Sequence, residues 1–265
     1  MSATVGGLGL LRVGRAPRVV ERNLLVFRRQ WWILVSGFFE PLFYLLSVGV
    51  GIGELVGDVT LPSGRAVDYT AFVAPAMLAS SAMNGVVYET TLNVFFKLKY
   101  AKLYDAMLAT PLAPVDIARG EIGWALVRAG VYAAAFCLVM LVMGLFLSPW
   151  GVLALPAALL VGFAFGATGM ACTSFMRSWQ DFEFVNLAVL PLFLFSATFY
   201  PLDTYPSSVR WFVEWTPLSQ GVVLTRGLTT GEVGWELVVA AVYLAVMGIV
   251  GLAVASRRLA RLLLS

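Results

Sequence analysis

Histidine is absent from this sequence of 265 residues, which excludes His-based catalytic triads, His metal sites and His proton relays. Charge is scarce too: Asp, Glu, Lys and Arg make up 12% of the chain, against about 25% in an ordinary soluble domain. The two cysteines, Cys137 and Cys172, fall inside apolar runs, so a disulfide framework is not expected and a metal site lacks ligands. The lysines are Lys97, Lys99 and Lys102, and none follows the glycine of a phosphate-cradling Gly-Lys-Ser/Thr sequence. Energy from ATP must therefore arrive through another polypeptide.

What fills the chain is apolar: 60% of its residues are hydrophobic, gathered in long runs of the length that crosses a bilayer as helix. The fold class this predicts is all-α, a polytopic membrane protein of about six transmembrane helices in a single domain. The candidate spans are residues 33–56, 71–87, 122–146, 152–175, 184–199 and 235–255. The fifth is short for a full crossing and ends before Pro201. Residues 1–20 do not read as a cleavable signal, because Arg12, Arg15 and Arg18 interrupt the weakly apolar stretch.

The net charge of +3 is dispersed between apolar runs instead of forming one basic face, so nucleic acid is not an expected partner. The cations read as topology signals. Arg12, Arg15, Arg18, Arg22, Arg28 and Arg29 precede span one, Lys97, Lys99, Lys102 and Arg119 lie between spans two and three, Arg177 follows span four, and Arg257, Arg258 and Arg261 end the chain. All fall on one side of a six-span arrangement, opposite Arg65, Arg210 and Arg226, which predicts a bacterial plasma-membrane protein with both termini cytoplasmic.

Three segments between spans invite function. Residues 17–32 read as an amphipathic interface helix, with Leu24, Leu25, Phe27, Trp31 and Trp32 entering the bilayer surface and Arg22, Arg28 and Arg29 kept wet; positive-inside arginines and belt tryptophans explain the same composition. In the cytoplasmic segment 93–110, Phe96, Tyr100, Leu103 and Met107 recur at helical spacing beside Lys99, Lys102 and Asp105, and Pro111 stops the helix. Periodicity leaves open whether that apolar stripe meets the bilayer surface or a protein groove. Residues 200–234 hold Pro201, Pro206 and Pro217 and alternate apolar with polar residues, which suits short helices at the outer interface, with Ser207 as an N-cap.

Carboxylates at membrane depth are costly and usually functional. Glu40, followed by Pro41 within span one, is the foremost candidate for a polar role in a pathway. Glu89 and Glu121 are expected to sit solvated at the interface, with Arg128 snorkelling to the same edge.

Together these segments resemble permeases of the type-2 ABC exporter superfamily, most closely the lipooligosaccharide (nodulation-factor) export permeases, with daunorubicin-resistance permeases as near relatives. The resemblance is carried by Glu21-Arg22-Asn23, Trp31-Trp32, Glu40-Pro41-Leu42-Phe43-Tyr44, the stretch 69–77 around Pro75, the Tyr-Asp-Ala-Met-Leu-Ala-Thr-Pro-Leu run at 104–112, the stretch 195–201, Thr216-Pro217-Leu218 and Arg226-Gly227-Leu228. Ser219-Gln220 and Val223 depart from it, where family members often carry an aromatic-His pair and an acidic residue.

The resemblance implies that 93–110 is a coupling segment received by a groove of a separate ATP-hydrolysing subunit, with Lys99, Lys102, Leu103, Tyr104 and Asp105 as contacts, and that 200–228 forms outer re-entrant helices. It also implies two permease copies, as a homodimer, working with two ATPases that bind ATP and Mg, while this chain carries no cofactor of its own and is no enzyme by itself. Membrane lipids surround it, and the cargo is a lipid, glycolipid or hydrophobic drug moving outward. Substrate-pathway candidates are Phe39, Glu40, Phe43, Tyr44, Phe193 and Phe195. A secondary transporter would place more charges at mid-span. A membrane-embedded lipid-processing enzyme would need acid, base or metal-binding groups around one cavity.

Overall fold

A computed structural model describes residues 14–28, 39, 42–43 and 45–264. In chain order it contains helix α1 (Ala16–Phe27), α2 (Leu45–Val56), a two-stranded antiparallel hairpin β1 (Asp58–Thr60) and β2 (Ala66–Asp68), then α3 (Tyr69–Lys99), α4 (Leu103–Leu108), α5 (Pro114–Val142), α6 (Ala154–Thr173), α7 (Phe182–Leu194), α8 (Ser207–Glu214), α9 (Pro217–Thr230) and α10 (Trp235–Leu264). The protein is thus helical and polytopic. Four of these helices, α3, α5, the α6 stretch from Pro149 and α10, are long and apolar enough to cross a membrane.

The four crossings coincide with expected spans two, three, four and six. The first part of span one lies outside the described residues apart from Phe39, Leu42 and Phe43, and its second half is α2. The fifth expected span appears as α7, whose 13 residues rise only about 20 Å at 1.5 Å per residue. It ends in a turn where Ala197 has a positive φ of 52°.

Local chemistry sets the helix boundaries. Asp68 caps α3, its carboxylate accepting from the Thr70 and Ala71 amides at 2.7 and 3.4 Å. Pro114 opens α5 at a position where a missing amide hydrogen costs nothing. Gly231 ends α9 in the left-handed region at φ 89°, donating to Gly227 in a manner a side chain would oppose. Ser207 is the first residue of α8 and not its cap; Pro206 occupies the cap position, and no side-chain cap bond forms there.

Spans pack through small residues, the device that lets helices approach where lipid removes any hydrophobic drive to associate. A Cβ at Gly251 of α10 would lie 2.8 Å from the Ala167 and Thr168 backbone of α6, and one at Gly169 of α6 would lie 2.6 Å from the Thr90 hydroxyl of α3. Helix α6 is therefore held between α3 and α10. By contrast α7 buries no residue fully.

One end of the bundle gathers α1, α4, the start of α5 and the C-terminal turn of α10 around Val19, Tyr104, Ile117, Ala171 and Leu259. We call this the basic end. The opposite end carries the hairpin, α8 and α9, tied together where the Thr229 carbonyl accepts from the Leu147 amide at 2.9 Å and the Glu232 carboxylate accepts from the Ser63 amide at 3.2 Å.

Candidate functional site: a charged joint at the basic end

Near the basic end, α3 departs from α-helical geometry. Residues Glu89–Asn93 form a π-helical turn, a feature that inserts an extra residue and often marks a working position. The Thr90 carbonyl there accepts from the Thr173 hydroxyl of α6 at 2.9 Å, so the irregular backbone is satisfied by a neighbouring helix.

Glu89 itself is 4% exposed and pairs with Arg128 of α5. The same guanidinium donates to the Tyr132 hydroxyl at 3.3 Å and lies 5.1 Å from the centroid of the Phe27 ring of α1. About two helical turns further along α3, Lys97 Nζ reaches Glu121 Oε2 of α5 at 2.7 Å. Glu121 is 1% exposed, and the same oxygen accepts from Asn23 Nδ2 of α1 at 3.2 Å. Neither carboxylate is solvated at an interface, as the sequence led us to expect, and Arg128 does not snorkel. Burial in a low-dielectric setting drives both acids to take cationic partners.

The joint extends into the segment expected to couple. Lys102 adopts a left-handed conformation at φ 45°, which breaks the helix after Lys99 and starts α4 afresh. The apolar stripe expected from Phe96 to Met107 is thereby split: Phe96 and Tyr100 are exposed, while Met107 and Tyr104 are buried. Tyr104 has no solvent exposure at all, and its hydroxyl and Glu121 Oε1 are both buried without a hydrogen-bond partner. Burial, reinforced by the Glu121 charge, pushes the Tyr104 pKa well above the ordinary phenol value.

Of the expected coupling residues, Lys99, Lys102 and Asp105 are exposed and Leu103 is half-buried. Tyr104 is the correction: its side chain faces inward and anchors α4, so it is not available as a surface contact. The α4–α5 connection is fixed from the other side, where Asp116 accepts from the Arg15 and Ala113 amides, both at 3.1 Å, and Arg15 donates to the Pro111 carbonyl. Helix α1 rests directly on α5, because a Cβ at Gly120 would meet Val19 at 2.4 Å. Its Leu24 and Leu25 point outward, as an interface helix requires, whereas Phe27 packs edge-on against Trp124.

The pathway candidates divide differently. Phe39 and Phe43 are exposed and their rings stack at 5.7 Å; Glu40 and Tyr44 lie outside the described residues. Phe195 is exposed. Phe193 packs against the buried clusters and meets Phe199 edge-on at 5.3 Å, which makes it a packing residue. Sequence reasoning passed over Tyr88 of α3 and Asn186 of α7, whose side chains meet at 3.5 Å between two spans. It also passed over the role of Arg226, which donates to the carbonyls of Phe72 at 3.0 Å and Ala197 at 2.8 Å and lies 3.7 Å over the Phe72 ring. The signal available for Arg226 was a lone cation among apolar residues.

With this geometry in hand, the comparison with known proteins is decisive: the ABC-2 type transporter family matches residues 18–229. The chain belongs to that family. Nodulation protein J of Rhizobium leguminosarum bv. viciae is 31% identical over 264 residues, covering 97% of each chain. The protein of the same name from Rhizobium leguminosarum bv. trifolii is 33% identical over 218 residues, covering 81% of this chain and 80% of the relative, and that of Rhizobium meliloti (strain 1021) is 28% identical with the same coverage. The protein is accordingly the membrane-embedded permease component of an ABC-2 type transporter, and the matched region takes in α1, the charged joint and the segment that ends with α9.

Proposed function

We propose that this permease is the transmembrane subunit of an ATP-driven exporter that moves a lipid, glycolipid or hydrophobic drug outward, powered by separate ATPase subunits that bind ATP and Mg. Two permeases and two ATPases form the working unit. The observation that carries the reading is the placement of α4: with the turn that leads into it, this short helix presents Lys99, Lys102 and Asp105 outward, and its inner face seats Tyr104 against a buried carboxylate bonded to α1 and α3. Movement of α4 by a docked ATPase reaches three membrane-associated helices through rigid, water-excluded contacts.

Family membership supports the ATP-binding partner, and the basic end is the side on which that partner docks. Helix α1 and the C-terminal turns of α10 share that end, which agrees with cytoplasmic termini under the positive-inside rule. The pathway runs along spans one, two and five. Exposed Phe39, Phe43 and Phe195 suit a greasy moiety, Glu40 and Tyr44 its polar part, and the Tyr88–Asn186 contact offers hydrogen bonding between spans two and five.

Co-expression with ATPase subunits from neighbouring genes tests the proposal. A tagged permease should copurify one of them, and the pair in vesicles should move cargo only with ATP. Absence of copurification with every such subunit, together with transport that persists after ATP depletion, overturns it.

A further inference from the structure

Away from the joint, a groove of about 530 Å³ opens between α3, α6, α7 and α10, with Val87, Phe165, Cys172, Val185, Leu192 and Met247 among its walls. Its polar residues are spent elsewhere. The Thr91 and Thr168 hydroxyls donate to the carbonyls of Val87 and Ala164 in their own helices, so their protons are not offered to the cavity. Asp181 accepts from the Arg177 and Ser178 amides at 2.7 and 3.2 Å and from the Ser178 hydroxyl at 3.2 Å, capping the turn before α7. A volume of this size falls within the ~300–1,000 Å³ of small-molecule sites, and walls of this chemistry accept hydrocarbon.

Phe175, at the turn after α6, is one of the groove's walls, and a cation lies over its ring. The Arg258 guanidinium of α10 lies 4.1 Å over the Phe175 ring, its Nε is buried without a hydrogen-bond partner, and it makes no ion pair among the described residues. A guanidinium without an acidic partner at the edge of a membrane domain favours an anionic oxygen on its open side. Arg177, next to the same turn, adds positive potential. Cation above and apolar slot below match a phosphate head group above an acyl chain.

We propose that this groove holds an acyl chain of an anionic phospholipid whose phosphate is bound by Arg258. The lipid is a resident of the permease and fills the space that α7, with no fully buried residue, leaves against its neighbours. The site stands apart from the coupling surface, while α3 and α7, which wall it, also flank the proposed pathway.

The test uses the purified full chain in mild detergent, offered equal amounts of phosphatidylglycerol and phosphatidylcholine and read by native mass spectrometry. Retained lipid should favour phosphatidylglycerol about tenfold, because the choline ammonium of phosphatidylcholine offsets the phosphate charge that Arg258 reads. Arg258→Ala should bring the ratio near parity and Arg258→Lys should keep most of the preference, since an ammonium still binds phosphate as a point charge. Ala188→Trp on α7, which fills the groove, should lower retention of both lipids.

Position is read through the groove-wall thiol: in a Cys137→Ala background, phosphatidylglycerol should slow maleimide modification of Cys172, and phosphatidylcholine should slow it less. Equal retention of the two lipids, an unchanged ratio in Arg258→Ala, or no protection of Cys172 overturns the proposal. So does an Ala188→Trp variant that loses self-association but keeps its lipid, which would assign the groove to a second copy of the chain.

Discussion

Lys97 Nζ and Glu121 Oε2 sit 2.7 Å apart, with the carboxylate side chain fully buried and the lysine side chain 19% exposed. This pair joins the last turns of α3 to the first turns of α5, and through Asn23 it recruits α1. Removing one partner strands the other. Lys97→Met should cost about 3–5 kcal/mol, as expected for breaking a buried ion pair from one side, while Lys97→Met with Glu121→Leu should recover most of that loss. Thermal unfolding in detergent reads the difference. If coupling runs through the pair, the double variant will be stable yet show weakened cargo stimulation of the partner ATPase; full stimulation would remove the joint from the mechanism.

Tyr104 supports a prediction with a pH signature. Replacement by Ala leaves a cavity in the cluster of Val94, Ile117 and Ala118 and should cost about 3–5 kcal/mol. Replacement by Phe keeps the packing and removes only the hydroxyl beside Glu121, so it should cost much less than Ala. The phenol pKa is raised in the folded protein by burial and then by Glu121, so folding favours the protonated form. Its contribution is fully present below about pH 10, the unfolded value, and is lost as pH rises from there toward the folded value. Stability measured from pH 8 to 11 should therefore fall more steeply in the wild type than in Tyr104→Phe. Parallel curves would show that the phenol does not titrate with unfolding.

How much of this was readable from the chain follows from which forces are local. Spans two, three, four and six are continuous apolar runs, and nothing tertiary is needed to see them. The buried acids were misjudged because their partners are distant: Glu121 meets Asn23 from 98 positions away and Lys97 from 24, and Glu89 meets Arg128 from 39. A helical stripe from Phe96 to Met107 was a sound reading of period, but it assumed an unbroken helix, and the left-handed Lys102 breaks it. The short α7 was legible only as a doubtful span. The surface Lys99, Lys102 and Asp105 were identified as a set, whereas the inward turn of Tyr104 depends on how α4 is seated on α5, which no local pattern records.

Gly251 is where α10 comes up against the backbone of α6. A Cβ there would stand 2.8 Å from backbone atoms of Ala167 and Thr168, and backbone cannot swing aside as a side-chain tip can. Gly251→Leu should force α10 off α6 and cost more than about 4 kcal/mol, the range reserved for overpacking and similar severe lesions. Gly234→Ala, with nothing within 4 Å of its added carbon, serves as the control and should change little. Yield of monodisperse protein and the unfolding midpoint in detergent both report the contrast. Equal behaviour of the two variants would mean that the spans can separate without loss.

The last prediction concerns the outward face of α4, where charge and backbone strain meet in one residue. Lys102 holds φ at 45°, a conformation that costs an L residue roughly 1–2 kcal/mol, and its side chain is exposed. Lys102→Gly relieves the strain and removes the charge, so the permease should remain folded and as stable as the wild type or slightly more so. Lys102→Glu keeps the strain and reverses the charge. If an acidic groove of the ATPase receives this face, both variants should release the ATPase more readily, the reversal by about tenfold or more in dissociation constant, since like charges across an interface cost several kcal/mol. Raising salt should weaken the wild-type complex and leave the Lys102→Glu complex less affected, because screening removes attraction in one case and repulsion in the other. Wild-type affinity in Lys102→Glu, with an unaltered salt response, would move the docking surface away from α4.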